Sequence, residues 1–238
     1  MWLWLLATTV AFFIKGLCGF ANTLIFTSIL GFGTNNVNIS PVELVLGYPT
    51  NIIMIWKNRK ELSPKVYIPL AILVLAGSIP GAFLLKNVNA QYIKIVFGIV
   101  VILIALEMLF RERGKINFKE SRLILGSIGI LSGVLCGLFG VGALLAAYVS
   151  RVTETSDGFK ANICAVFVVE NTFRIILYSV IGVLTLSNLK QSLIMIPFML
   201  IGLFAGIKSS QFLDDKIVKR LVIVLLIISG LVLIKKNI

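Results

Sequence analysis

Eight long apolar runs divide this chain, and they restrict its fold more than any other feature. The runs lie at residues 2–32, 42–56, 66–85, 92–110, 122–149, 161–184, 189–207 and 217–234. A helix needs about 20 apolar residues to cross the hydrocarbon core of a bilayer. Only 13% of the 238 residues are charged, against about 25% in an average soluble domain. The sequence therefore predicts an all-α polytopic membrane protein with no separate soluble domain.

Basic residues are concentrated in the short connections between the apolar runs. The formal net charge is +12, from 22 Lys and Arg against 10 Asp and Glu. In a soluble protein this excess would suggest nucleic-acid binding, but in a membrane protein it follows the positive-inside rule. We therefore predict a multi-pass protein of the cell membrane (the inner or plasma membrane), with the lipid bilayer as its partner and no nucleic acid.

The sequence lacks the usual residue sets for a metal, a nucleotide or a catalytic nucleophile. It has no His, and its cysteines are isolated in apolar runs without metal-ligand spacing: Cys18, Cys136 and Cys164. No P-loop motif is present, so ATP drive would require another chain. We predict no cofactor, no metal and no enzymatic activity. An intramembrane enzyme with a serine beside Lys15 is kept as an alternative.

Segments of the first half recur in the second half at a nearly constant spacing. FFIKGLCGFAN at 12–22 resembles GVLCGLFGVGA at 133–143, which lies 121 residues later. AGSIPGAFLLKNVNAQYIK at 76–94 resembles IGLFAGIKSSQFLDDKIVK at 201–219, which lies 125 residues later. A second register, 118 residues apart, also fits the glycine-rich segment. We therefore predict two homologous membrane repeats, 1–118 and 119–238.

The first run of each half is interrupted by glycines. As a single helix, run 2–32 would extend about 46 Å, against about 30 Å of hydrocarbon. Each interior glycine weakens a helix by about 1 kcal/mol relative to Ala. We predict that each of these runs breaks into two half-helices that form a re-entrant hairpin, followed by three transmembrane helices. The alternative is one long tilted helix whose glycines allow a neighbour to approach.

The distribution of Lys and Arg in the connections favours the hairpins. If all eight runs cross, 12 basic residues lie inside and 8 outside; if both first runs return, 15 lie inside and 5 outside. The second assignment obeys the positive-inside rule more closely. It places the connections at 57–65, 151–160 and 208–220 on one side and makes the halves an inverted repeat, a common plan in secondary transporters.

Backbone at the predicted breaks is the first candidate for an anion site. The N-terminus of a half-helix exposes unpaired N–H groups and a partial positive charge near the membrane centre, and glycine lets an anion approach the backbone closely. The candidate residues are Gly16, Gly19 and Asn22 in the first half, and Gly137, Gly140 and Gly142 in the second. Alternatively, the glycines serve only tight helix packing.

Polar side chains inside the apolar runs complete the predicted substrate site. Lys15 lies where a charge costs about 2.5–3.5 kcal/mol on insertion scales, so it is either an anion ligand or a side chain that snorkels to an interface. Arg174 follows Glu170 by four residues, on the same helix face. Arg174 would bind the anion and Glu170 would exchange protons, or the two form only an ion pair. Asn51 and Asn171 add neutral donors at related positions of the halves.

These segments resemble the TauE/SafE-type sulfite exporter family, also called the toluene sulfonate uptake permeases. The resemblance is carried by KGLCGFAN (15–22), GILSGVLCGLFGVG (129–142), Pro80-Gly81-Ala82 and the repeated half, and it extends over nearly the whole chain. It implies a transporter of sulfite, a sulfonate or a related organic anion. This chain departs from the family in two ways. Lys15 replaces a small residue, and residues other than glycine interrupt the run of glycines that the family often shows.

Together these features predict a secondary transporter that moves a small anion by alternating access. An anion channel, the intramembrane enzyme and an accessory membrane subunit are the alternatives. The sequence is also compatible with a homodimer.

Overall fold

A computed structural model describes residues 1–30, 36–87 and 143–235, and the helical positions 95, 98, 99, 102, 103, 105, 106, 109, 110, 130, 131, 133 and 134. Throughout these residues the fold is all α, without a strand, as predicted. Helices suit apolar surroundings because they satisfy their own backbone polar groups. We number them α1 (Trp2–Cys18), α2 (Asn22–Leu30), α3 (Asn36–Lys57), α4 (Pro64–Asn87), α5 (Ala143–Val152), α6 (Ser156–Val180), α7 (Leu186–Ser210) and α8 (Asp215–Lys235).

Three of the described helices are long and apolar enough to cross a membrane. These spans are Ile39–Lys57 in α3, Ser156–Val180 in α6 and Leu186–Ser210 in α7. Large apolar side chains on their outer faces are exposed, among them Leu193 at 64% and Ile201 at 62%. Such side chains suit lipid and would be unfavourable in water. The helices therefore support the membrane class predicted from the sequence.

The first apolar run is broken at Gly19–Ala21. The helix α1 ends at Cys18 and is capped by Gly19, whose φ is 84° and whose N–H donates to the carbonyl oxygen of Lys15 at 2.6 Å. Ala21 also has a positive φ, 71°, and α2 begins at the next residue. Two left-handed residues in three positions turn the chain so that α2 packs against α1. The break predicted near residues 137–142 lies outside the described residues.

Glycines bring the backbones of α1 and α7 into contact. A Cβ at Gly16 would overlap a backbone oxygen of α7, and a Cβ at Gly206 would overlap the carbonyl oxygen of Phe13. Gly202 meets Thr9 in the same way, so the two helices run side by side in the same direction. Close contacts between small residues are a usual basis of helix association in membranes. Gly16 therefore serves helix packing.

A matching glycine contact joins α4 to the described positions near residue 130. A Cβ at Gly77 would overlap the carbonyl oxygen of Ile130, and a Cβ at Gly133 would overlap that of Val74. The Ser78 hydroxyl also donates to the carbonyl oxygen of Gly133 at 3.1 Å. In both contacts, a glycine of the first run of one predicted half meets a glycine of the third run of the other predicted half.

The connections at 57–65, 151–160 and 208–220 lie together at one end of the helices, which we call the loop side. Asn162 of α6 accepts a hydrogen bond from the Ser63 N–H at 3.0 Å and donates to the carbonyl oxygen of Glu61 at 3.3 Å. A surface cavity of about 440 Å³ opens there, lined by Lys57, Glu61, Thr155, Ser156, Asp157, Lys160, Ser210, Gln211 and Leu213. Therefore α3 and α7 end, and α4, α6 and α8 begin, on the loop side.

Candidate functional site

A small cavity lies between α1, α2, α3 and α6, and we call it the central cavity. The space open to the centre of a water molecule is about 20 Å³, enough for roughly one water. Polar and charged side chains inside apolar helices mark functional sites, because they are costly to place there. The lining residues are Lys15, Phe20, Ala21, Asn22, Thr23, Leu24, Glu43, Asn51, Phe167, Glu170 and Asn171.

The turn at Gly19–Ala21 brings the first turn of α2 to the central cavity. Asn22, Thr23 and Leu24 begin this helix and line the cavity. Their N–H groups precede the first backbone bond of the helix, from Ile25 to the carbonyl oxygen of Ala21 at 3.0 Å. Such unpaired groups give a helix N-terminus a partial positive charge. The end of α2 therefore has the polarity that suits an anion.

Lys15 contributes a buried ammonium group to the central cavity. The residue is only 1% exposed, so its stem does not snorkel to an interface. Its Nζ donates a long hydrogen bond, 3.4 Å, to the carbonyl oxygen of Gly47 on α3. That oxygen also accepts a hydrogen bond from the Thr50 hydroxyl at 2.6 Å. An ammonium group has three donors, so the described residues leave most of its capacity for a ligand.

Glu43 of α3 is a charged cavity residue that the sequence analysis missed. It is 3% exposed, and its Oε1 accepts hydrogen bonds from the Asn22 amide and, at 2.9 Å, from the Thr23 hydroxyl. Gly47, one turn later, makes room for this arrangement, since a Cβ there would lie 3.3 Å from Oε1. The signal was present in the sequence: a carboxylate inside an apolar run is a functional candidate by the rule that selected Lys15.

Asn51 places an unpartnered amide at the central cavity. The residue is 1% exposed, and neither its amide nitrogen nor its oxygen has a hydrogen-bond partner among the described residues. An unpaired buried amide costs about 1–3 kcal/mol, so such groups occur where a ligand or water binds. Asn171 lines the same cavity from α6. The two asparagines, which the sequence analysis placed at related positions of the predicted repeats, thus line one site.

Arg174 lies beside the central cavity and does not line it. Its Nε is 3.6 Å from Oε1 of Glu170, an ion pair without a hydrogen bond between these atoms. A terminal nitrogen of the guanidinium donates to the Ser40 hydroxyl at 3.1 Å and to the Tyr178 hydroxyl at 3.2 Å. The structure therefore contains the ion pair, which was one of the two alternatives that the spacing of four residues allowed. Glu170 reaches the cavity with its charge already balanced.

The glycines predicted for the site have other positions. Gly19 forms the turn, and its carbonyl oxygen accepts a hydrogen bond from the Cys164 thiol at 3.3 Å. A Cβ at Gly19 would lie 2.9 Å from the Lys160 side chain. Neither Gly19 nor Gly16 lines the central cavity, whereas Gly137, Gly140 and Gly142 lie outside the described residues. The predicted residues that do meet at the cavity are Lys15, Asn22, Asn51, Glu170 and Asn171.

Metal chemistry has no visible basis in the part of the chain that the structure describes. No group of three or more His, Cys, Asp or Glu side chains there could hold a metal ion. Cys18 and Cys164 are buried as free thiols.

Comparison with known proteins gives one family. The sequence model of the family described as "Sulfite exporter TauE/SafE" matches residues 4–233, which include the whole lining of the central cavity. No curated protein and no solved structure matches the chain. Because the match covers nearly the full length, the chain belongs to the TauE/SafE sulfite exporter family, a family of membrane transporters.

Proposed function

We propose that this chain is a secondary transporter that moves a small anion, such as sulfite, a sulfonate or a related organic anion, by alternating access. The observation that carries the proposal is the central cavity. The Lys15 ammonium, the unpartnered Asn51 amide and the N-terminus of α2 face one small cavity between apolar helices. A cation, neutral donors and a helix N-terminus all stabilise an oxyanion. Family membership supports the same reading.

The small size of the central cavity supports a closed conformation of the site. Sulfite has four heavy atoms and needs more space than the roughly one water that fits. Phe20 of the cavity lining packs edge-to-face on Phe159, with ring centres 6.0 Å apart. Phe159 precedes Lys160, which lines the loop-side cavity. We propose that this aromatic pair is the closed gate between the two cavities, and that it separates when the anion enters.

We also propose that the halves 1–118 and 119–238 form an inverted repeat with re-entrant first runs. The shared loop side supports this arrangement. Eight full crossings would put the connection at 57–65 opposite those at 151–160 and 208–220, whereas the hairpin assignment puts all three on one side. The exchanged glycine contacts between the halves add further support. By the positive-inside rule, the loop side faces the cytoplasm, and we propose that the protein lies in the cell membrane.

Counterflow in proteoliposomes tests the transporter assignment. Vesicles are loaded with an unlabelled anion and receive a trace of the same labelled anion outside. The panel contains sulfite, methanesulfonate, sulfate, acetate and a neutral sugar. A carrier accumulates the label transiently above its equilibrium level, whereas a channel only equilibrates it. If folded protein gives no anion flux above empty vesicles, the transporter assignment is wrong and the accessory-subunit or enzyme alternatives return.

A further inference from the structure

The buried charges at the central cavity cancel one another. Among the described residues around it, Lys15 and Arg174 are basic, and Glu43 and Glu170 are acidic. Arg174 and Glu170 form one ion pair at 3.6 Å. Lys15 and Glu43 face the cavity without a direct ion pair between them, since Lys15 donates to Gly47 and Glu43 accepts from α2. With all four groups ionised, the site is formally neutral.

A neutral buried site is a poor host for an anion that arrives alone. The anion would give the site a net negative charge in surroundings that hydrate it weakly, and an unbalanced buried charge is strongly unfavourable. A proton taken up at the same time removes one negative charge from the protein. Lys15 then balances the anion, and the occupied site stays neutral.

The two cavity carboxylates differ in their fitness to receive that proton. Protonation of Glu170 would leave Arg174 without its ion-pair partner. The hydrogen bonds that Glu43 accepts come from neutral donors, and both go to Oε1. No hydrogen bond among the described residues uses its Oε2, so a proton there displaces no existing contact. Glu43 is therefore the better proton acceptor.

We propose that Glu43 binds the proton that accompanies the anion, so that one proton moves with each monoanion and no net charge crosses the membrane. Water delivers the proton to Oε2 of the carboxylate, and the anion binds beside Lys15. When the anion leaves on the other side of the membrane, the proton is released to water on that side as well. The groups that face Glu43 are Lys15 from α1, Asn22 and Thr23 from α2, and Glu170, Asn171 and Arg174 from α6. This inference rests on the proposed anion transport and replaces Glu170 as the coupling residue.

The test compares wild type with Glu43→Gln, using labelled methanesulfonate in proteoliposomes. Methanesulfonic acid is a strong acid, so methanesulfonate stays a monoanion and free diffusion of the neutral acid does not mimic transport. An inward proton gradient of about one pH unit, a tenfold concentration ratio, should drive wild-type accumulation towards tenfold. Glu43→Gln should lose this response, whereas Glu43→Asp, which keeps a carboxylate, should regain it. Asp214→Asn, which changes an exposed carboxylate outside the site, should behave as wild type.

Each failure has a separate meaning. Wild type without counterflow, for methanesulfonate and sulfite alike, contradicts the proposed function; if sulfite alone gives counterflow, the gradient test uses sulfite. A Glu43→Gln variant that accumulates anion as wild type does overturns only the role of Glu43. If Glu43→Gln does not fold, the test uses wild-type protein instead. Its uptake is measured at different membrane potentials, which are set by a potassium–valinomycin clamp. The proposal is supported if uptake is independent of the membrane potential and if Glu43→Asp accumulates anion in response to the proton gradient. Potential-driven uptake of the monoanion overturns it.

Discussion

Lys15 of α1 and Glu43 of α3 bring opposite charges to the same buried cavity, yet each is bonded to a different partner. Lys15 donates to the carbonyl oxygen of Gly47, and Glu43 accepts from Asn22 and Thr23. If the two formed a tight ion pair, an anion would have to break it. Held apart, they leave an ammonium group that an anion can approach and a carboxylate that can be neutralised.

Replacing Asn51 should separate stability from transport. Asn51→Leu removes an amide whose two polar atoms have no partner in the described structure and keeps a similar volume. We expect the free energy of unfolding to stay the same or rise by about 1 kcal/mol, while anion flux falls about tenfold or more. Thermal unfolding in detergent and counterflow measure the two effects.

Asn162→Leu is the matched control for this variant. Asn162 is equally buried, at 1%, but its side chain makes hydrogen bonds to Ser63, Glu61 and Gly158. Its replacement should lower the free energy of unfolding by about 2 kcal/mol or more, since three partners lose their bonds. Equal destabilisation by both variants would argue against a ligand-binding role for Asn51.

The contact between α1 and α7 should tolerate no side chain at Gly206. Gly206→Leu would push the helices apart, because even a Cβ there overlaps the carbonyl oxygen of Phe13. Overpacking typically costs about 1–3 kcal/mol, and we expect a clear fall in the unfolding temperature. Ala205→Leu adds bulk on the exposed face of the same helix and should have little effect. Similar losses in both variants would contradict the packing described for Gly206.

The ion pair of Glu170 and Arg174 should give non-additive effects on stability. Glu170→Gln or Arg174→Met alone leaves one buried charge uncompensated, which typically costs about 3–5 kcal/mol. The double variant removes both charges and should be more stable than at least one of the single variants. Chemical denaturation of the four proteins completes the cycle. Simple addition of the two single effects would show that the side chains do not interact.

The side of the membrane that each connection faces can be tested with single cysteines. Lys60→Cys, Glu154→Cys and Asp214→Cys, each in a cysteine-free background, should react with an impermeant maleimide from the same side. Ser187→Cys should react only from the opposite side. The inverted repeat fails if Lys60→Cys and Asp214→Cys are labelled from opposite sides.

Sequence rules predicted the helical class and a break among the glycines of the first run, because length, apolarity and glycine content are local properties. They also selected Lys15, Asn51 and Asn171, since a polar group inside an apolar run stands out. Which neighbour a residue faces was harder to predict. Lipid and protein interior are both apolar, so a membrane helix lacks the polar face that would fix its rotation.

Three outcomes at the site illustrate this limit. Gly16 faces α7 rather than the cavity, because the tight fit of two helices sets its direction. Arg174 pairs with Glu170 and donates hydrogen bonds to Ser40 and Tyr178, and Ser40 lies on a different helix. Glu43 joins the cavity only because α2 turns back towards α3. Each outcome depends on tertiary packing between distant segments.

The central claim is that the transported anion binds beside Lys15, and counterflow of labelled sulfite or methanesulfonate tests it most directly. Lys15→Gln should reduce saturable counterflow at least tenfold, because a neutral amide replaces the buried ammonium, while Lys190→Gln at an exposed position should retain wild-type flux. Both proteins are first checked for monodispersity and unfolding temperature. Wild-type flux in folded Lys15→Gln would contradict an anion site at the central cavity.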